Sequence, residues 1–141
     1  MAFQDIKQIQ NETIHERTCI MLYQFNSQEV KQIVNVAKMA GIKEYIDLQS
    51  KHGGCTLREI LDDEVSEKEE ATIKEKAIIL NHVVANKMNL FMELLKKCRL
   101  KRPIIAVVTE QSIDWTLAHL LVNLASERQA INEGQFNKAH Q

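Results

Sequence analysis

The segment His52-Gly53-Gly54-Cys55 contains residue types that could do nucleophilic chemistry. A histidine beside a cysteine can lower the pKa of the thiol and so produce the nucleophilic thiolate. The same two side chains could supply two ligands to a zinc ion, but no second Cys/His pair is present to complete a metal site. His52 and Cys55 are therefore the candidates for catalysis, while a turn with an incidental cysteine is the simpler expectation.

The segment from Thr109 to Trp115 contains residue types that could bind a small ligand. It is predicted to join the end of a strand to the beginning of a helix, where free backbone amides favour an anion. Thr109 and Ser112 could add hydroxyl donors, and Trp115 could stack on the ligand. Asp114 opposes an anion at this position, so the simpler expectation is that Ser112 caps the helix and Trp115 packs.

The segment from Lys96 to Arg102 is strongly basic, and its cations are Lys96, Lys97, Arg99, Lys101 and Arg102. Such a basic patch could contact the phosphates of a small ligand or of a nucleic acid. Positive charge is also favoured at the end of a helix by the helix dipole, and no aromatic residues are interleaved with the cations. The whole chain has 18 basic and 19 acidic residues, a net charge of −1, so nucleic-acid binding is not expected.

An internal repeat indicates which elements position these segments. Apolar residues recur 58 positions apart along about thirty residues, which is typical of a duplicated unit. The matched positions include Cys19-Ile20-Met21-Leu22 over Ala77-Ile78-Ile79-Leu80, Val30 over Met88, Ile33 over Phe91, and Ile46 over Ile104. The pattern predicts two pseudo-repeats, residues 19–48 and 77–106, within a single domain that spans residues 1–141.

Each pseudo-repeat is predicted to form a strand, a helix and a second strand. Asn26 and Glu29 have the spacing of a capping box for the first helix, and Gly41 is expected to end it. The acidic segment 50–76 is interpreted as a solvated connector that contains a short helix. A final helix is predicted over residues 112–131.

Two strand–helix–strand units in series predict an α+β fold, namely a ferredoxin-like sandwich with four antiparallel strands and helices on one face. Strands 19–23 and 104–108 are apolar on both faces, however, as in a sheet that is covered on both sides. The final helix or a second copy of the chain could cover the other face, so a homodimer is one expected assembly. A three-layer α/β sandwich is the alternative fold.

The second half of the chain resembles the bacterial family known as domain of unknown function 3783. The resemblance rests on Arg102-Pro103-Ile104-Ile105-Ala106-Val107-Val108-Thr109, on Trp115-Thr116-Leu117, and on the leucines that follow, up to Glu127-Arg128. It covers about residues 77–130. The family has no established activity, so the resemblance implies a domain boundary and no catalytic residue.

Composition and motifs narrow the function without identifying it. No Walker loop, GxSxG, HExxH or GxGxxG motif occurs, which removes several enzyme classes and gives no reason to expect a cofactor or a metal. No apolar leader or membrane span is present, and the odd count of three cysteines favours reduced thiols in the cytoplasm. The expected function is a non-catalytic binding or regulatory module, with a Cys55/His52 enzyme and a phosphate or nucleic-acid binder as alternatives.

Overall fold

Four strands form the central sheet in the part of the chain that the structure describes. The structure is a computed structural model that describes residues 15–100 and 102–140, with side-chain surroundings up to residue 128. The strands are β1 (Cys19–Tyr23), β2 (Tyr45–Leu48), β3 (Ala77–Asn81) and β4 (Ile104–Val107), in the order β2-β1-β3-β4. The two central strands are buried along their whole length, as their continuous apolar sequences predict.

The sheet is mixed rather than antiparallel. β1 and β2 are parallel, β3 and β4 are parallel, and the two pairs meet in an antiparallel contact between β1 and β3. The α+β class is thus confirmed, whereas the ferredoxin-like arrangement of four antiparallel strands is not. The physical reason is that a local strand–helix–strand pattern is the same whether its two strands are neighbours or lie apart in the sheet.

Two helices pack on one face of the sheet. They are α1 (Ser27–Met39) and α3 (Ala85–Lys96), the helices of the two predicted units. Asn26 and Glu29 form the predicted capping box at the beginning of α1. Ile33 of α1 and Phe91 of α3 are fully buried against the sheet, in a core that also contains Ile20, Leu22, Ile78 and Leu80.

The other face of the sheet is covered by the same chain. A short helix, α2 (Leu57–Leu61), and the final helix, α4 (Leu117–His140), pack there on a second core that contains Met21, Tyr23 and Ile79. Helices on both faces make the three-layer arrangement that was the alternative prediction. The apolar face that motivated a homodimer is therefore already covered. None of the described helices is long and apolar enough to cross a membrane.

The two units share backbone features at a constant spacing. Gln24 and His82, 58 positions apart, have positive φ angles of 65° and 55° directly after their strands. Gly41 and Arg99, also 58 positions apart, have φ angles of 88° and 56° after their helices. The spacing then changes, because Met21 pairs with Ile46 whereas Ile79 pairs with Ala106. The return strand of the second unit is thus displaced by two residues.

The final helix begins at Leu117 instead of the predicted Ser112 and extends to His140 instead of 131. Residues 113–116 are held in an extended contact with the beginning of α2. The amide of Leu57 donates to the Trp115 carbonyl at 3.0 Å, and the amide of Arg58 donates to the Ile113 carbonyl at 2.9 Å. The carbonyls of Ile113 and Trp115 thus accept hydrogen bonds from the first amides of α2. They are not used inside α4, so α4 begins after them.

The connector between the units is anchored to the core at several points. The Tyr23 hydroxyl donates to the Ile73 carbonyl at 3.1 Å, and the Thr116 hydroxyl donates to Glu70 at 2.7 Å. The amide of Gly54 donates to the Lys68 carbonyl at 2.6 Å. The expectation of a merely solvated segment is thus corrected, because buried backbone and side-chain groups need these connector carbonyls as partners.

Candidate functional site

The proposed catalytic pair does not assemble into a reactive site. Cys55 is fully buried, and its thiol donates to the carbonyl of Ser66 at 3.1 Å. His52 Nδ1 accepts from the amide of Gln49 at 3.0 Å, and burial together with Lys51 lowers the pKa of the imidazole. Among the described residues, no hydrogen bond joins the imidazole to the thiol. The geometry therefore gives the thiol neither a base nor access to solvent.

Thr109 and Ser112 hold a turn together. The amide of Thr109 donates to the Ser112 hydroxyl at 3.0 Å, and the amide of Ser112 donates to the Thr109 hydroxyl at 3.1 Å. The two hydroxyl oxygens lie 3.1 Å apart, and Ser112 is buried. The two hydroxyl groups stabilise the turn between β4 and α4. Thr109 and Ser112, which were candidate ligand-binding residues, thus have a structural role.

Trp115 lies at the edge of the core. It is half-buried and packs against the apolar cluster beneath α4. Its ring meets that of His119 edge to face, with the centroids 4.6 Å apart and the planes at 78°. Its backbone carbonyl holds the first amide of α2. Packing and backbone support account for Trp115 without a ligand.

The basic patch is divided by the fold. Lys96 ends α3, and Lys97 and Arg99 are exposed in the turn that follows it. Arg102 lies just before β4 and borders two separate cavities. The predicted patch residue Lys101 lies outside the described residues. Lys96 and Arg102 thus line one cavity together, whereas Lys97 and Arg99 line neither cavity.

A cationic groove of about 570 Å³ lies at one end of the sheet. Its described walls are Lys74, Glu75, Lys76, Arg102 and Arg128, which come from the connector, from the segment before β4 and from α4. The volume is within the range of small-molecule sites. Among the described lining residues there are four cations and one carboxylate, so the groove has an excess of positive charge.

The sheet register explains why these cations converge. Ala77 and Ile104 are paired in the parallel β3–β4 ladder, so the residues that precede them reach the same end of the sheet. α4 crosses this end, and Arg128 Nη2 donates to the Arg102 carbonyl at 3.3 Å. Three of the groove cations, Lys76, Arg102 and Arg128, are widely separated in sequence. Only the strand register and the path of α4 bring them together, so no linear motif could have identified them.

The groove cations differ in how they are paired. Lys76 Nζ contacts the Glu29 carboxylate at 2.6 and 2.8 Å, and Arg128 lies 3.6 Å from Glu75. Burial opposes ionisation of Glu29, but the hydrogen bonds from Lys76 and from its own cap outweigh burial and lower its pKa. Lys74 and Arg102, by contrast, have no carboxylate partner among the described residues. Two cations thus remain available for an incoming anion.

A second cavity of about 420 Å³ adjoins Arg102 on the α3 side. Its lining is mainly apolar and consists of Met92, Leu95, Lys96, Leu100, Arg102, Pro103 and Ile105. Met92, Leu100 and Ile105 are half-buried and belong to the outer layer of the core beneath α1 and α3. We refer to this space as the apolar cavity.

The opposite end of the sheet carries a polar network around Arg17. Arg17 donates to Glu44 at 3.3 Å and to Asp63 at 2.9 Å, and the fully buried Asn81 amide donates to the Arg17 carbonyl at 2.7 Å. Burial raises the pKa of the neighbouring Cys19 thiol to about 11. Within the described ranges, no three His, Cys, Asp or Glu side chains are grouped to hold a metal ion. This network anchors the chain before β1.

Comparison with known proteins identifies one family. Residues 76–131 match the family model described as Domain of unknown function (DUF3783), and this match confirms the resemblance to that family. The matched residues include β3, α3, β4 and the first part of α4. Lys76, Arg102 and Arg128 lie inside the match, whereas Lys74 lies before it. No curated protein and no solved structure gives a significant match.

Proposed function

We propose that this protein, whose residues 76–131 match the DUF3783 family, is a non-catalytic binding module for a small anion of the phosphate type. The observation that carries the proposal is the convergence of four cations on the cationic groove, with Lys74 and Arg102 unpaired among the described residues. The module would act in regulation if the fraction of protein that binds the anion changes with the concentration of that anion.

The side chains of the groove favour binding over catalysis. An arginine guanidinium presents a planar fork of donors that matches the oxygens of a phosphate, and lysine adds a point charge. Among the described residues that line the groove, Glu75 is the one carboxylate, and its neighbour is the Arg128 guanidinium at 3.6 Å. The described lining residues include no cysteine, serine or histidine that could act as a nucleophile or a general base.

Titration calorimetry with methyl phosphate tests the proposal. We expect binding that weakens as salt is raised, because the interaction is between charges. Arg102→Gln should lower the affinity about tenfold, since a hydrogen bond to a charged group contributes about 1.5–3 kcal/mol. Lys74→Gln should lower it by a smaller factor, because lysine makes a single-point contact.

The matched controls are Lys97→Gln and Arg99→Gln. Each removes one positive charge from the same basic segment, but neither residue lines the cationic groove. Both variants should bind methyl phosphate like the unmodified protein. Equal losses from all four substitutions would indicate general attraction to a basic surface and would contradict a defined site. Retention of RNA or DNA by the protein, lost equally in all variants, would favour the nucleic-acid alternative.

We also propose that the module forms a homodimer through the outer edge of β4, which pairs with no other described strand, instead of through the covered sheet face. The four residues of β4 carry no charge, and Val107 is 43% exposed. Uncharged, exposed edge strands readily add a further strand. In a symmetric antiparallel pair of β4 strands, each copy would extend the sheet of the other.

Light scattering of Val107→Pro tests this assembly. The amides of Ile104 and Val108 donate to β3, so the alternating amides of Ile105 and Val107 point away from it. Proline at 107 therefore blocks strand addition without removing a hydrogen bond inside the sheet. The unmodified chain should have about twice the monomer mass of 16.2 kDa, and the variant should have the monomer mass. A monomeric unmodified chain at micromolar concentration would exclude the dimer.

The cellular setting remains a prediction. We propose a cytoplasmic location because Cys19, Cys55 and Cys98 are free thiols, as expected in a reducing compartment. A bacterial origin likewise remains a prediction from the family resemblance.

A further inference from the structure

We propose that the anion carries an apolar group, and that this group lies in the apolar cavity beside the cationic groove. This inference rests on the proposed function and assigns its ligand class: a phosphate monoester with a short hydrocarbon chain. The observation that motivates it is the position of Arg102, which borders both spaces.

Arg102 connects the two spaces because it lies where the chain enters the edge strand. The cationic groove lies on its α4 side, with Lys74, Lys76 and Arg128. The apolar cavity lies on its α3 side, where its neighbour in the lining is Pro103. The two spaces lie towards opposite faces of the sheet and share Arg102, so the inference requires a phosphate monoester bound to Arg102 to extend its chain past this residue into the apolar cavity.

The walls of the apolar cavity suit a hydrocarbon chain. Met92 and Leu95 come from α3, Leu100 from the turn, and Ile105 from β4, so apolar side chains line it from three directions. Methionine adapts its shape to an irregular ligand because its side chain is unbranched and polarisable. A cavity of about 420 Å³ is within the size range of small-molecule sites.

Charge complementarity selects the anionic end of such a ligand. Lys96 and Arg102 are the two charged residues of the apolar cavity lining, and both are cations. Both are exposed, so their charged groups lie at the rim while the apolar side chains form the wall. An uncharged hydrocarbon would leave these cations unused, and a free phosphate would leave the apolar wall in water.

A series of alkyl phosphates tests the inference, with methyl, butyl and hexyl phosphate titrated into the full chain below their micelle concentrations. Each methylene group that becomes buried should tighten binding about fourfold. We expect hexyl phosphate to bind at least tenfold more tightly than methyl phosphate. Hexanol should bind at least tenfold more weakly than hexyl phosphate, because it makes no ion pair with Arg102.

Two substitutions separate the two halves of the site. Met92→Gln places a polar group in the apolar cavity and should reduce the hexyl phosphate affinity towards that of methyl phosphate. Methyl phosphate binding should change by a much smaller factor, because its single methyl group does not fill the apolar cavity. Arg102→Gln should weaken both ligands by the same factor. The matched control is Met39→Gln on α1, which changes the same residue type at a position 64% exposed and should alter neither affinity.

The outcomes distinguish this inference from the proposed function. Equal affinities for methyl and hexyl phosphate would overturn the inference while leaving an anion site intact. Hexanol that binds as tightly as hexyl phosphate would show an apolar site that is independent of the anion, and this also overturns the inference. Binding of neither phosphate would overturn the proposed function as well. Melting temperatures of the variants, measured alongside, show that each remains folded.

Discussion

The two strand–helix–strand units can be compared position by position. In the first unit, α1 begins with a complete capping box and is followed by Gly41, a glycine with φ 88°. In the second unit, the N-cap of α3 is Val84, which makes no side-chain cap hydrogen bond, and the position equivalent to Gly41 is Arg99 with φ 56°. The first unit thus meets the local requirements of its backbone, whereas the second departs from them at both ends of its helix.

The departure at the C-terminal end of α3 lies beside the apolar cavity. Two additional residues separate the end of α3 from the return strand β4, relative to the first unit. This longer segment contains Leu100 and Arg102, which line the apolar cavity, and Arg102 also lines the cationic groove. The comparison teaches that the unit with the less favourable helix ends is the one that borders the proposed anion site. Four predictions test this difference.

The largest effect is expected from the buried helix positions that correspond in the two units, Ile33 and Phe91. Phe91→Ala should destabilise the protein by about 3–5 kcal/mol, and Ile33→Ala by about 2–5 kcal/mol, because each leaves a cavity against the sheet. Urea unfolding with free-energy extrapolation measures both. A loss below about 1 kcal/mol for Phe91→Ala alone would mean that α3 is only loosely packed on the sheet. The two units would then differ in stability more than their helix ends indicate.

The next effect concerns the left-handed residues that follow the helices. Gly41→Ala should cost about 1–2 kcal/mol, because a side chain at this φ is strained and its Cβ would lie 3.1 Å from Lys87 Cε. Arg99→Gly should instead stabilise the protein by about 0.5–1 kcal/mol, since glycine adopts this φ without strain.

Thermal unfolding of these two variants measures the pair. Opposite signs are expected, and equal signs would show that the two positions do not have equivalent roles. Arg99→Ala, which keeps the strain while removing the charge, is the control.

Helix capping gives a third contrast of about 1 kcal/mol in each direction. Asn26→Ala should destabilise the protein because it removes the side-chain acceptor for the Glu29 amide. Val84→Asn should stabilise it, because Val84 is 62% exposed and makes no cap hydrogen bond. Denaturant midpoints report both changes, and a Val84→Ala variant separates the new hydrogen bond from the loss of a β-branched side chain. Destabilisation by Val84→Asn would contradict the interpretation of α3 as uncapped.

The smallest effect is expected from acidification. The folded protein lowers the pKa of Glu29 below its ordinary value of 4.5, so its contribution is complete above that value and is lost as the pH falls below it. We expect the loss to be about 1 kcal/mol or less, because Lys76 is partly exposed. The equivalent residue of the second unit is Lys87, so no such carboxylate exists there.

The free energy of unfolding of Glu29→Gln, measured between pH 6 and pH 3, isolates the contribution of the Glu29 carboxylate to stability. The variant should lose less stability over that interval than the unmodified protein. An unchanged pH dependence would show that the Glu29–Lys76 contact does not contribute to the free energy of unfolding.

Local structure could be predicted from the sequence because its signals are local. The capping box of Asn26 and Glu29 forms as its spacing predicts, and Gly41 follows the helix that it was expected to end. The order of the strands could not be obtained in this way, since apolar periodicity indicates a buried strand but not its neighbour. The predicted beginning of α4 was wrong for a related reason. The carbonyls of Ile113 and Trp115 accept hydrogen bonds from α2, which is a contact between distant segments.

The candidate site was the less predictable part. Sequence reasoning found Arg102 but placed it in a linear patch with Lys97 and Arg99, which line neither cavity. It missed Lys74 and Arg128, because the first lies in an acidic connector and the second on a helix that was assigned to packing. Their convergence depends on the parallel register of β3 and β4, which is a property of the folded sheet.

The antiparallel pairing of β1 with β3 has a consequence for the nascent chain. Its paired residues are far apart in sequence, since Cys19 pairs with Asn81, whereas β1 and β2 are joined by a much shorter segment. During synthesis the inner edge of β1 stays unpaired until β3 leaves the ribosome, which takes roughly 3–12 s at typical elongation rates. Because β1 is entirely apolar, this interval exposes an edge prone to aggregation, and chaperone protection is most needed before β3 emerges.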